Sequence, residues 1–256
     1  MLSKLSVFGA RPRQREIHFV ECGGKFFELQ GLDKGLIERH FRKFLIRVLP
    51  DSPPSNPLQI FEFHQRGESY DLYVGGETVG LSLPLLYLVE LTWSKIQTLV
   101  ALSISELHFV RGDVLECQPG VGLFLAGPSF SGQTSLADAL IELLSARRWS
   151  SFYGVLGSDG RAYRYPDLTS EAIKIEIVAK VAYRPGLDFS CSEPSPGQLA
   201  LNLAPLVVVG DSESIGRTLP VLAKLSLDAS RRFLGQRNEV EEAASFFASV
   251  WNELGR

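Results

Sequence analysis

The chain has 256 residues, 45% of them hydrophobic, enough for one large domain or a small one followed by a larger one. A net charge of -3 offers no broad basic surface for phosphates, which argues against a nucleic-acid partner, and no run approaches the roughly 20 apolar residues of a membrane span. The three cysteines and four histidines are scattered without disulfide-framework or zinc spacing, and the broken apolar stretch before Arg11 is too short for a secretory signal, so the expected compartment is the cytoplasm.

Ile17 and Phe19, then Phe26, Phe27 and Leu29, flank a Gly23-Gly24 pair, the pattern of a hairpin. Leu36, Ile37, His40, Phe41, Phe44, Leu45 and Val48 recur at helical spacing up to Pro50 and predict one helix across 32–50, with His40 as a packed residue beside the stripe. Residues 51–57 are a loop by composition, and 59–83 alternate at period two between glycine turns, which predicts two or three antiparallel strands. Pro84 opens a helix with Leu85, Leu88, Val89, Thr92, Ile96, Leu99 and Val100 on one face. Residues 1–100 therefore read as a small α+β region without a catalytic constellation.

Residues 101–256 are richer in chemistry. Strands are expected at 106–117 and 121–127, and a helix at 134–145 with Leu136, Ala139, Leu140, Leu143 and Leu144 on one face. A hairpin about Ser158-Asp159-Gly160 follows, then a strand alternating Ile173, Ile175 and Ile177 with charged residues. Two helices, 220–234 and 239–254, close the chain.

From within the 121–127 strand into the next helix runs "LFLAGPSFSGQTSL", which writes Gly127, four residues, Gly132, Gln133, Thr134. A phosphate loop has this spacing, with lysine where Gln133 stands. Its backbone N–H groups converge on an anion at a helix N-terminus, where the helix dipole adds positive charge. Gly127 and Gly132 allow that backbone, Ser129, Ser131 and Ser135 add hydroxyls, and Thr134 can face a magnesium ion; Gln133 donates a hydrogen bond but no charge. A plain glycine-containing strand-to-helix turn explains the stretch equally well at this point.

From Leu107 onward, "ELHFV", "LFLAGPSFSGQTSL", "SSFYGVLGSDGRAYRYP", "AYRPG", "PSPGQLALNLAP" and "FLGQRNEVEEAA" resemble, in the same order, segments of the HPr serine kinase/phosphorylase-related family. The resemblance implies an α/β, P-loop-containing HPr-kinase-like domain with a mixed sheet and flanking helices, ATP with Mg2+ as cofactor, a protein or peptide partner, and a homo-oligomer. It also implies an acidic step that here falls on Ser151 and Phe152, so the carboxylate that should act on the serine hydroxyl is missing along with the lysine. His108 matches the family's strand histidine, with a core strand residue as the competing reading. Arg237 and Glu239 match the late motif, and a helix-start ion pair accounts for them equally well.

These departures favour a pseudokinase-type protein that binds nucleotide or phosphate without efficient transfer. The rival is an active ATP-dependent serine kinase in which Lys174, Arg161 or Arg164 supplies the charge and Asp159 or Asp138 the base. A structural subunit with no anion site is a third reading.

Overall fold

The computed structural model of the chain describes residues 16–41, 47–49, 55–128, 131–168, 170–208 and 212–255. The fold is mixed α/β and divides into two units, Met1–Gln97 and Thr98–Arg256, each built on a mixed sheet with helices beside it.

In the first unit β1 (Ile17–Cys22) and β2 (Lys25–Gln30) pair antiparallel through Gly23 and Gly24, whose φ angles of 58° and 72° make the left-handed turn that a two-residue hairpin needs. Helix α1 (Lys34–Phe41) buries Ile37 and Phe41. The helix expected across 32–50 does not reach its end, because Arg47–Leu49 is a strand, β3, antiparallel to β1. Val48 lies opposite Val20 there, and β-branched residues pair well across strands, a preference that helical spacing alone conceals. Phe44 and Leu45 of that expected helix lie outside the described residues. With β4 (Gln59–Arg66) parallel to β2, and β5 (Ser69–Val74) and β6 (Glu77–Pro84) continuing antiparallel, the sheet order is β3-β1-β2-β4-β5-β6.

Helix α2 (Leu85–Leu102) buries Leu88, Val89, Thr92, Ile96 and Val100. The expectation of no membrane-length apolar run passed over it: among the described residues it has the length and mean hydropathy, 1.2 over 18 residues, to cross a bilayer. A core helix satisfies the same two criteria, and 44% of that window is buried.

The second unit carries an eight-stranded sheet in the order β11-β10-β7-β8-β12-β14-β13, with β9 also paired to β7. β7 (His108–Gln118) and β8 (Val121–Ala126) form an antiparallel pair, and β8, β12 (Lys174–Tyr183) and β14 (Arg231–Arg237) run parallel side by side. β9 (Arg147–Ser150) and β10 (Tyr153–Leu156) follow one another along β7, β11 (Ala162–Tyr163) pairs with β10, and β13 (Ser190–Ser192) with β14. Strands covered on both faces need apolar residues at every position, which is why β8 is an unbroken apolar run after Gly122. Leu123 and Leu125 pack with Leu136 and Leu140 of α3 (Gln133–Leu144) and Phe247 of α6 (Val240–Leu254). Phe124 and Ala126 pack on the opposite side with Leu199 of α4 (Pro196–Leu203) and Leu222 of α5 (Ser212–Asp228).

The helix expected at 220–234 is corrected on both sides. Pro220 lies inside α5, and Arg231–Arg237 is a strand in which Phe233 belongs to one face of the sheet and Leu234 to the other. Helix α4 went unanticipated although its signature is local: Ser195 and Gln198 form a reciprocal capping box and Pro196 takes the first turn.

Gly154 in β10 and Gly112 in β7 together admit the ring of Phe124, since a Cβ at Gly154 would stand 2.6 Å from that ring and one at Gly112 2.7 Å. Gly154→Ala is expected to cost ~1–3 kcal/mol by overpacking and to lower Tm in a thermal melt. Gly197→Ala, where a Cβ in α4 meets nothing, is expected to raise it slightly. Equal melting of wild type and Gly154→Ala would refute this account of the layer.

Candidate functional site

β8 delivers the chain to the carboxyl end of the three parallel strands, where open α/β sheets bind their ligands. Gly127 N–H donates to the Arg111 carbonyl (3.1 Å) and Ser131 N–H to the Pro128 carbonyl (3.2 Å), while Tyr183 N–H, at the end of β12, donates to the Ser131 carbonyl (3.0 Å). Gly132 takes φ 80° and α3 begins at the next residue. Glycine is required there twice over, because the backbone is left-handed and a Cβ would strike the Arg237 guanidinium. At Gly127 space alone decides: a Cβ would run into the Gln133 amide and stand 2.7 Å from Ser131 Oγ.

Ser131 Oγ and Gln133 Nε2 are buried, and among the described residues neither has a hydrogen-bond partner. Ser131 is only 8% exposed. Buried polar atoms are normally satisfied. Two unsatisfied ones meet beside Gly127, at the head of a 12-residue helix whose first N–H groups have no acceptor within the helix. Thr134 and Ser135 stand exposed in the first turn of α3. Ser129 lies outside the described residues.

Ser151 and Phe152 sit where β9 passes into β10. The Phe152 carbonyl accepts from Gly112 N–H (3.0 Å), its N–H donates to Asp113 Oδ1 (3.3 Å), and Gly112 registers with Ala126. The pair therefore lies level with the start of the loop, with β7 between them. Phe152 holds φ 69°, rare for a bulky residue, and its side chain is about half-exposed at 49%. Asp113 is buried and pairs with Arg148 (3.0 Å), which also reaches Asp138 of α3. Burial pushes the Asp113 carboxyl above its ordinary pKa; Arg148 and the Phe152 N–H offset part of that rise, and Asp138 adds to it.

His108 opens β7, four residues before Gly112 and thus roughly 13 Å along the strand from the loop's level. Its Nδ1 lies 2.9 Å from Thr218 Oγ1, and burial, helped by the Arg217 charge, lowers its pKa and keeps the ring neutral at pH 7. The charges offered in place of the lysine are also engaged elsewhere. Lys174 pairs with Glu176 and registers with Val121, at the opposite end of β8; Arg161 is 3.9 Å from Asp159 in the β10–β11 turn; Arg164 lies over Trp149. Asp138 is held by Arg148, and Asp159 accepts from Arg161 N–H.

Sequence reasoning missed Asp113, Arg148 and Tyr183, and left Arg237 between a match to the family's late motif and a helix-start ion pair. Arg237 Nη2 donates to the Gly132 carbonyl (2.8 Å). Asp113 left a faint signal, a lone carboxylate at an inward position of the apolar segment "VRGDVL". No protein-family model matches the chain, and neither a curated protein nor a solved structure matches it.

A carboxyl whose pKa is higher in the folded than in the unfolded chain binds its proton more tightly in the fold. Asp113 therefore favours folding most below its ordinary value of 3.8, and that contribution is lost as pH rises to the folded value. Urea titrations between pH 4 and 7 are expected to show the stability of wild type falling relative to Asp113→Asn as pH rises through this window. A pH-independent difference between the two proteins would contradict the assigned shift.

Proposed function

We propose that the chain is an HPr-kinase-like protein with a degenerate P-loop, a pseudokinase-type binding or regulatory protein of the cytoplasm that holds a nucleotide or phosphate and acts through a protein or peptide partner. The observation that carries this reading is the pair of buried, unpaired polar atoms, Ser131 Oγ and Gln133 Nε2, beside Gly127 at the N-terminus of α3. A plain strand-to-helix turn gains nothing from two unsatisfied polar atoms, whose burial costs ~1–3 kcal/mol each.

The same arrangement argues for binding without transfer. A nucleotide's phosphates would lie on Gly127, Ser131, Gly132, Gln133 and the N–H groups of Thr134 and Ser135, with the Thr134 hydroxyl toward any magnesium ion the nucleotide brings. Magnesium would draw charge from the transferring phosphoryl group. At the acidic step stand Ser151 and Phe152, neither of which has a carboxylate to take a hydroxyl proton or to bring negative charge to a cation, while Asp113 and Asp138 are both engaged with Arg148. A missing base costs roughly 10²–10⁴ in rate and a missing preorganised charge roughly 10²–10³. Loss of a charged hydrogen bond weakens ground-state binding by only about 1.5–3 kcal/mol. The active-kinase alternative requires Lys174, Arg161 or Arg164 at the loop, and each has its partner elsewhere.

Calorimetry with ATP and a labelled-phosphate transfer assay test the reading. Wild type is expected to bind ATP and transfer nothing; Gln133→Lys is expected to tighten binding by up to roughly a hundredfold, still without transfer. Robust transfer by either protein would overturn the impaired-site reading. An unchanged affinity in Gln133→Lys would mean that residue 133 does not face the bound phosphate.

A further inference from the structure

Arg237 is 4% exposed, and arginines so deeply buried are nearly always paired. Among the described residues no carboxylate lies within ion-pair distance of it. Nη2 donates to the Gly132 carbonyl (2.8 Å), Nη1 donates to the Asn238 carbonyl (3.1 Å), and Cζ stands 5.5 Å from the centre of the Tyr183 ring. Nε is buried and has no partner among the described residues. Carbonyls and a ring face supply only partial negative charge, and Glu239 and Glu241, both exposed, act on the guanidinium from beyond contact distance.

Other arginines of this unit are differently placed. Arg148 has Asp113 and Arg231 has Glu193. Arg232 too has no carboxylate partner among the described residues, but it donates to the Ser226 and Ala229 carbonyls at the end of α5, the negative pole of that helix. Arg237 stands at the positive pole of α3, where the helix adds to its unfavourable burial. A buried cation, a helix N-terminus and two unsatisfied side-chain polar atoms stand at or against one short loop, and an anion would offer charge to the first two and a hydrogen-bond acceptor to the others.

We infer that the counter-ion of Arg237 is the phosphoryl group held by the loop, so that this arginine supplies from β14 the charge that Gln133 does not. The inference rests on the phosphate-loop reading. It assigns Arg237 a positioning and a charge role together: the guanidinium holds Gly132 in its left-handed turn and stabilises the anion that the turn encloses. The ligand chemistry is a phosphoryl group, free or on a nucleotide.

The test uses the full chain with ATP and inorganic phosphate as probes, and calorimetry on wild type, Arg237→Gln, Arg237→Lys and the double variant Gln133→Lys/Arg237→Gln, with thermal melts for each. Arg237→Gln is expected to weaken ATP binding by roughly ten- to a hundredfold, Arg237→Lys by less than about tenfold, and Gln133→Lys to restore most of the loss in the Arg237→Gln background. Inorganic phosphate is expected to follow the same order, as an interaction with the phosphoryl group requires. Equal losses in the Gln and Lys variants without rescue would make Arg237 a strut with no electrostatic role and overturn the inference, as would unchanged affinity in Arg237→Gln. Wild type that binds neither probe would overturn the phosphate-loop reading itself. Should Arg237→Gln fail to fold, Arg237→Lys decides: affinity within about tenfold of wild type supports the charge role, and loss of binding overturns it.

Discussion

The Gly132 carbonyl accepts both from Leu136 N–H of α3 and from the Arg237 guanidinium of β14, and the loop depends on that shared acceptor. One hydrogen bond starts the helix and the other ties its start to a strand two places away in the sheet. Tyr183 completes the fastening, since its N–H holds the Ser131 carbonyl while its ring lies against Arg237. Gly127 is tied on the other side to Arg111 of β7. Gly127, Ser131 and Gly132 are thus fixed from β7, β12 and β14, and their conformation is a property of the sheet as much as of the two glycines. Anchoring a site on rigid elements is what keeps convergent donors converged.

The same sheet explains the unusual backbone of Phe152. A bulky residue at positive φ carries a strain of order 1–3 kcal/mol and persists where its surroundings over-determine it. Here the Phe152 carbonyl is taken by Gly112 N–H and its N–H by Asp113, whose carboxylate is in turn oriented by Arg148. Arg148 also engages Asp138, so the β9–β10 junction and the second turn of α3 share one arginine. On the opposite face, the ring of Phe124 lies across Gly112 and Gly154 and locks the register of β8, β7 and β10. Loop, helix and junction therefore keep fixed relative positions through one polar contact set on one face and one aromatic layer on the other.

Local pattern and spatial assembly explain what could be read from the chain. Val121–Ala126 as a strand and a helix from about residue 134 were legible because the apolar run is uninterrupted and the leucine spacing after it is helical. The Gly23-Gly24 hairpin was legible from turn chemistry alone. Arg231–Arg237 was not, because a short strand flanked by arginines and lying between two helices shows only Phe233 and Leu234 as apolar signal, and the end of α5 extends that signal at helical spacing. Arg47–Leu49 failed for the related reason that three residues are too few to display any period. At the site, the glycine spacing announced the loop, whereas the contacts of Arg237 with Gly132 and of Asp113 with Phe152 join residues 105 and 39 positions apart, and no local pattern names either partner.

A cation fixed beside the loop has a chemical consequence different from that of a lysine reaching over it. The lysine of a phosphate loop sits on a flexible stem, bridges two phosphates and can follow charge as it moves toward the leaving oxygen. Arg237 is held by the Gly132 and Asn238 carbonyls and stacked on Tyr183, so its position does not change as a reaction proceeds. A charge that stabilises bound phosphate and transition state alike strengthens binding without raising the rate of transfer. Under the proposed reading, a positive charge at residue 237 in place of one at residue 133, with Ser151 and Phe152 at the acidic step, would keep the features that retain a phosphate and lack those that break its bonds. A site of that kind would be suited to recognition rather than turnover.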